Sequence, residues 1–449
     1  MKSISRAALL SAATLALASC GVFKDSKPKT PTIGQRIPIL TSETGAEIDP
    51  ALAAIEVLLP PVTVNEAWAQ PGGNPTHSMG HLGLSATPTK AWEAQITGGG
   101  KRTRLASPPV VSGGRIYAVD TEARLHAFDA QTGSKVYQVF VGDSASDDKA
   151  SSAQRNRDSL FGGGVSVEGD RLFATNGLGD VVAFNAADGS QIWRKRPGGP
   201  LRGAPTLSGG NVYVVTQDNQ LLALRQSDGN TEWTEAGTLE VSGVFGVAAP
   251  AAAQGTIVAG FSSGELNAYR YENGRAVWQD TLSRTSISTT VGTVSDIDAE
   301  PVIDQGRVFA IGSGGRMVAL ELVTGQRVWE INAGGIATPW VAGEWVFVVT
   351  GEARLLAVAR STGRVRWVSQ LPRWRNEKSK KGGIDWVGPV LAGNRLIAVS
   401  SEGQIAYVSP ATGAVEATVK YGRPVSMAPI VANNTMYLLD DEGRLTAWR

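Results

Sequence analysis

Hydrophobic and polar positions along residues 90–449 alternate in short runs, broken repeatedly by glycine, asparagine, aspartate or proline. Alternation with a period of two over such lengths predicts half-buried β-strands, and no stretch of this region carries a helical period. One phrase recurs eight times along it: ARLHAF, GDVVAF, NQLLAL, GELNAY, GRMVAL, ARLLAV, GQIAYV and GRLTAW. A small or polar pair leads into an apolar residue, in turn Leu125, Val181, Leu221, Leu266, Met317, Leu355, Ile405 and Leu445. Usually an alanine stands two positions later. In seven copies a glycine follows six residues on (Gly133, Gly189, Gly229, Gly274, Gly325, Gly363, Gly413), and four beyond that a tryptophan is the usual residue.

Self-similarity at a spacing of 38 to 56 residues identifies a repeat architecture. Upstream of each phrase lies a second strand signal, such as RIYAVD, NVYVVT or WVFVVT. Before it comes a shorter apolar stretch, often with proline, as in APTLSGG and APIVANN. With the strand after the glycine turn, each unit holds four short antiparallel strands, which is one blade of a propeller. The expected fold is all-β: an eight-bladed β-propeller over residues 88–449. The eighth copy reaches Arg449 with no glycine or tryptophan after it. KAWEAQI, residues 90–96, supplies the missing fourth strand, with Trp92 in the tryptophan's place. Closing the ring this way pairs the two sheet edges that an open ring would leave. Trp193, Trp233, Trp278, Trp329 and Trp367 share one register, with Tyr137 and Ala417 as substitutes. Fixed register within a repeat indicates packing between neighbouring blades rather than a binding surface.

The beginning of the chain reads differently. Lys2 and Arg6 precede an apolar stretch from Ala7 to Ala18, too short to span a bilayer and suited to a secretory signal. It runs into Leu17-Ala18-Ser19-Cys20, which resembles a bacterial lipobox. That resemblance implies a signal peptide over residues 1–19 and lipidation of Cys20, the chain's single cysteine. Gly21, standing where a retention aspartate would be, implies sorting to the outer membrane. Residues 20–87 read as a lipid-anchored tether and N-terminal extension, with one ordered segment near QRIPIL. NEAWAQPGGNPTHSMGH within it is expected to pack on the propeller.

Composition narrows the function. The chain has 42 Lys and Arg against 41 Asp and Glu. Loss of Lys2 and Arg6 with the signal peptide leaves 40 against 41, a net −1, with no basic field for nucleic acid. Of the three histidines, His77 and His81 are four apart but set among glycine and proline, so a helical metal pair is not expected; His126 stands alone. The glycine-rich GGGK and FGGG lack the setting and ending of a phosphate loop, and no GxSxG occurs. RWRNEKSKK, residues 373–381, reads as a solvated basic loop between blades, and residues 143–158 as a flexible one.

The A-x5-G-x3-W spacing is similar to that of the quinoprotein-type propellers across nearly all of residues 90–449. That family includes both dehydrogenases and non-enzymes, so it implies the fold alone. A PQQ-dependent periplasmic dehydrogenase is the alternative reading. It would need an adjacent cysteine pair, which one cysteine cannot form, and a calcium site, for which Asp296, Asp298 and Glu300 are the oxygen ligands at hand. Lipobox, sorting signal and propeller together resemble the propeller lipoproteins of the outer-membrane β-barrel assembly machinery. PLRGAP (200–205) and DIDAEP (296–301) resemble two segments of that family which contact the POTRA domains of BamA, with Gly199 where the family has a further leucine. Carried over, the partner-binding residues are Leu201, Arg202, Asp296 and Asp298, the carboxylates either accepting donors from the partner or holding Arg202 in place. The resemblance implies a scaffold with no catalytic residue, cofactor or metal. It implies BamA and other lipoproteins of the machinery as partners. Separately, exposed blade edges offer unfolded outer-membrane strands a place to pair. The resemblance also implies a monomer within that complex, anchored to the periplasmic face of the outer membrane.

Overall fold

In the computed structural model, residues 46–143, 160, 162–239, 248–282 and 296–449 are described. The signal peptide, Cys20, QRIPIL and most of the 143–158 loop lie outside them. Among the described residues the fold is an eight-bladed propeller of four-stranded antiparallel sheets, and the only helical element is a short 3-10 turn at Pro50–Leu52. The first seven blades cover residues 110–140, 165–195, 206–236, 251–281, 302–331, 340–370 and 386–420. The eighth joins strands Ile430–Ala432, Thr435–Leu439 and Arg444–Trp448 to Lys90–Gln95. That last pairing runs antiparallel, with Trp92 opposite Ala447 and Gln95 opposite Arg444, so the ring closes as expected.

The repeat spacing has a geometric cause. Across each outer strand pair the alanine faces the tryptophan directly: Ala183 opposite Trp193, Ala223 opposite Trp233, Ala268 opposite Trp278, Ala319 opposite Trp329, Ala357 opposite Trp367. A small residue there leaves room for the indole, which leans onto the turn of the next blade. Its Nε1 donates to the carbonyl three residues before that blade's glycine. Trp92 reaches Ala130, Trp278 reaches Leu322 and Trp329 reaches Arg360, at 3.1, 2.7 and 2.8 Å. The Tyr137 hydroxyl does the same to Ala186 at 2.9 Å. The glycine serves twice: Gly413 has φ +74°, and a Cβ on it would stand 2.5 Å from the Trp367 ring.

The seventh blade departs from the pattern for a reason. Its phrase carries Tyr407 in the alanine's register, opposite Ala417, so large and small have changed places. The eighth blade has no turn between its two outer strands, because Arg444–Trp448 and Lys90–Gln95 come from distant parts of the chain. A tryptophan at 417 would therefore have no glycine turn to lean on, and the strand Val415–Lys420 is exposed along its whole length.

The innermost strands of successive blades pack side by side around a central axis. Each would present unpaired N–H groups to that axis, as any sheet edge does. Residues 65–83 cover them. Trp68 exchanges two 2.8 Å hydrogen bonds with Val111 in the first blade. The Val167, Ala252 and Ile303 amides donate to the carbonyls of Ala69, Pro75 and Thr76, and the Leu207 amide to Gln70 Oε1. The Trp340 indole donates to the Gly80 carbonyl. Leu82 pairs with Leu391 and Gly393, and the Asn65 carbonyl receives the Asn433 amide. This strap thus bonds once or more to every blade. Part of the extension was expected to pack on the propeller; that it ties all eight blades together was not legible in its sequence.

Candidate functional site

Loops leading into the innermost strands gather at one mouth of the channel. Pro200 to Ala204 leads into the third blade and Asp296 to Pro301 into the fifth. Leu201 forms a bridge with Thr216 and packs in the core with Phe173, Trp193 and Leu207, fully buried. The Arg202 amide donates to the Val215 carbonyl, and its side chain reaches across toward the fifth blade. There Nη2 lies 2.9 Å from Asp296 Oδ1 and 3.4 Å from Asp298 Oδ1. The structure thus brings Arg202, Asp296 and Asp298 into one ion cluster. All three are buried, so of the two roles weighed for the carboxylates the geometry fits holding Arg202 in place. Burial first, then the Asp296 charge, raises the Asp298 pKa against the pull of Arg202.

Sequence reasoning passed over one exposed apolar residue of the connecting loops. Leu239, 72% exposed, lies on the segment leading from the third blade to the fourth, between the two halves of this cluster in chain order. The only signal was its position: an apolar residue outside every strand pattern.

Below the mouth is a cavity of about 140 Å³. The strap floors it with Trp68, Gly72 and His77, while Asp298, Glu300, Trp340 and Met427 stand in its wall. The His77 ring is buried, and its Nδ1 lies 2.7 Å from the Pro301 carbonyl. A carbonyl can only accept, so Nδ1 carries the proton and Nε2 presents a lone pair. Burial lowers the His77 pKa to about 4, partly opposed by that hydrogen bond. Burial raises the Glu300 carboxyl to about 8. The other histidines are structural: His81 Nδ1 meets the Pro60 carbonyl, and His126 Nε2 meets Asp120 Oδ2. Among the described residues no three His, Cys, Asp or Glu side chains are placed to share a metal ion.

The basic segment is a small hairpin, Trp374–Asn376 pairing with Lys381–Gly383, exposed over most of its length. Arg375 pairs with Glu402, and Arg373 lies over the Trp374 ring. A wider groove of about 520 Å³ beside it is walled largely by glycine, alanine and backbone, with Glu352, Arg354 and Asp385 as its charged groups.

Fold and repeat define an eight-bladed quinoprotein-type propeller whose channel is strapped by its own N-terminal segment. The family model described as outer membrane protein assembly factor BamB matches residues 142–369 and 372–448, and the chain belongs to that family. Curated relatives agree. The outer membrane protein assembly factor BamB of Yersinia pestis is 26% identical over 363 residues, covering 81% of this chain and 89% of that protein. That of Escherichia coli strain K12 is 27% identical over 358 residues, covering 80% and 88%. Two solved structures share the fold. BamB from Moraxella catarrhalis matches with a TM-score of 0.63 at 18% identity, covering 81% of this chain and 100% of that one. Quinohemoprotein alcohol dehydrogenase from Comamonas testosteroni matches with 0.64 at 13% identity, covering 85% and 80%. At such identities a structural match speaks for the fold and not for the chemistry.

Proposed function

We propose that this chain is a non-catalytic scaffold lipoprotein of the outer-membrane β-barrel assembly machinery. It is held by lipid on Cys20 at the periplasmic face of the outer membrane and binds the POTRA domains of BamA. Membership of the BamB family carries this reading. The mouth face supplies a mechanism: an ion cluster that fixes the lead-in loops of the third and fifth blades relative to each other. Loops held on a rigid ring make good recognition elements. Because Leu201 is fully buried, it and the cluster act as positioning residues, and Leu239 is the apolar anchor offered to the partner. Other lipoproteins of the machinery bind the same complex, and unfolded outer-membrane strands pair with exposed outer strands such as Val415–Lys420.

The test is co-purification of BamA with the protein from its own outer membrane, for the wild type, Leu239→Asp and Arg202→Lys. Each variant is first checked for native circular dichroism. BamA recovered with the wild type and lost with folded Leu239→Asp supports both role and face. Recovery undiminished in both variants would move the contact elsewhere, and recovery of no assembly component with the wild type would overturn the scaffold reading.

A further inference from the structure

The lining of the channel cavity is acidic. Of the side chains that line it, Asp298 and Glu300 are acids, and none is a lysine or arginine. Among the described residues no protein group donates to the Glu300 carboxylate. His77 is 97% buried, and its Nε2, the bare acceptor, has no hydrogen-bond partner. Asp298 Oδ2 receives no donor either. On the donor side, the one buried side-chain group of the lining without a partner is Trp68 Nε1.

The His77 Nε2 and Asp298 Oδ2 acceptors are buried without a donor, which is costly and in a native fold calls for an explanation. The strap positions them on purpose-built backbone. His77 has φ +59°, an uncommon conformation for a residue with a side chain. Its ring lies so close to Gly72 that a Cβ there would sit 2.5 Å from His77 Cβ. Two indoles complete the lining: Trp68 and Trp340 stack with centroids 6.2 Å apart and planes at 23°. Aromatic faces attract cations, most strongly when the ion is desolvated. Ile336, about half exposed, stands at the rim, so the cavity communicates with solvent at the mouth.

We infer that this cavity binds an organic cation, a guanidinium or primary ammonium group on an aliphatic stem, held by Glu300, Asp298 and His77 Nε2 beside the stacked indoles. A planar multi-donor head matches several acceptors at once, and the stem suits the apolar wall of Val387, Val390 and Met427. The same chemistry is offered by an arginine or lysine side chain of a partner protein and by a free small molecule. The inference goes beyond the partnership with BamA and stands or falls separately from it, because binding is read on the protein alone.

Isothermal titration of the full-length protein with agmatine, and separately with the peptide acetyl-Gly-Arg-Gly-amide, tests it. Glu300 must ionise to pair, while His77 stays neutral at neutral and alkaline pH. The charged neighbours on Asp298 are Asp296, Arg202 and Arg104. With a carboxyl titrating near 8, affinity at pH 7 should be roughly ten-fold weaker than at pH 9. Glu300→Gln, of the same shape, should lose at least ten-fold at pH 9 and keep only the smaller pH dependence that the raised Asp298 carboxyl carries. Binding of the peptide alone assigns the ligand to a partner's side chain, and binding of agmatine alone to a small molecule; both support the site. No binding of either probe at pH 9, binding unchanged in a folded Glu300→Gln, or binding of calcium with neither probe would each overturn it.

Discussion

Trp92→Ala tests how the ring is closed. Trp92 is the single tryptophan that joins the end of the propeller to its beginning. It lies on the strand Lys90–Gln95, pairs opposite Ala447, and packs on Gly133 of the first blade. Its ring also lies 5.9 Å from that of Tyr437. Burying a tryptophan removes about 150–250 Å² from water, which at about 25 cal/mol per Å² corresponds to roughly 4–6 kcal/mol. Partial collapse of the cavity brings the expected loss to about 3–5 kcal/mol. The hydrogen bond adds little, because the Ala130 carbonyl keeps the Tyr437 hydroxyl and Arg449 as donors. Trp329→Ala, which empties an equivalent niche inside the continuous chain, is the control. Guanidinium unfolding followed by far-ultraviolet circular dichroism should show similar losses for both. Trp92→Ala alone should also develop a separate early phase, with faster amide exchange in Lys90–Gln95 and Arg444–Trp448. A loss below about 1 kcal/mol with one sharp transition would refute the claim that this strand seals the ring.

Removing residues 46–84 should accelerate exchange of the Val111, Val167, Ala252, Ile303 and Asn433 amides in all the blades they represent; unchanged protection would show that the strap is dispensable. Arg202→Ala should cost about 3–5 kcal/mol, because Asp296 is left buried without its cation, and Arg202→Lys should cost less; thermal melts of the two variants decide it. Glu300 binds its proton more tightly folded than unfolded, so its contribution is full below about pH 4.5 and is lost as pH rises through about 8. Wild type should therefore lose stability over that window relative to Glu300→Gln, and parallel curves would place the carboxyl in water.

How much of this could be read from the chain alone differs between parts. The blade count and the closing strand were legible because each repeat carries its own contacts: Ala268 beneath Trp278, and Gly325 receiving it, sit at fixed separations in sequence. Local spacing therefore encodes the contact between one blade and the next. The swap of Tyr407 and Ala417 was hidden among the copies until the missing turn of the eighth blade explained it.

The strap and the site were not legible in the same way. Asn65 to Gly83 has no period of its own, since its hydrogen-bond partners come from eight separate blades. PLRGAP and DIDAEP marked Arg202, Asp296 and Asp298 as residues of interest, but their pairing spans 94 and 96 positions and depends on the curvature of the ring. The burial that turns Leu201 from a contact into a core residue, and the desolvation that raises the Glu300 carboxyl, are likewise set by what surrounds a position. Repetition determined the propeller within the sequence itself, because neighbouring blades repeat one local contact. Only the closed ring decided the channel, its strap and its acidic cavity, because these arise where residues far apart in the chain converge on one axis.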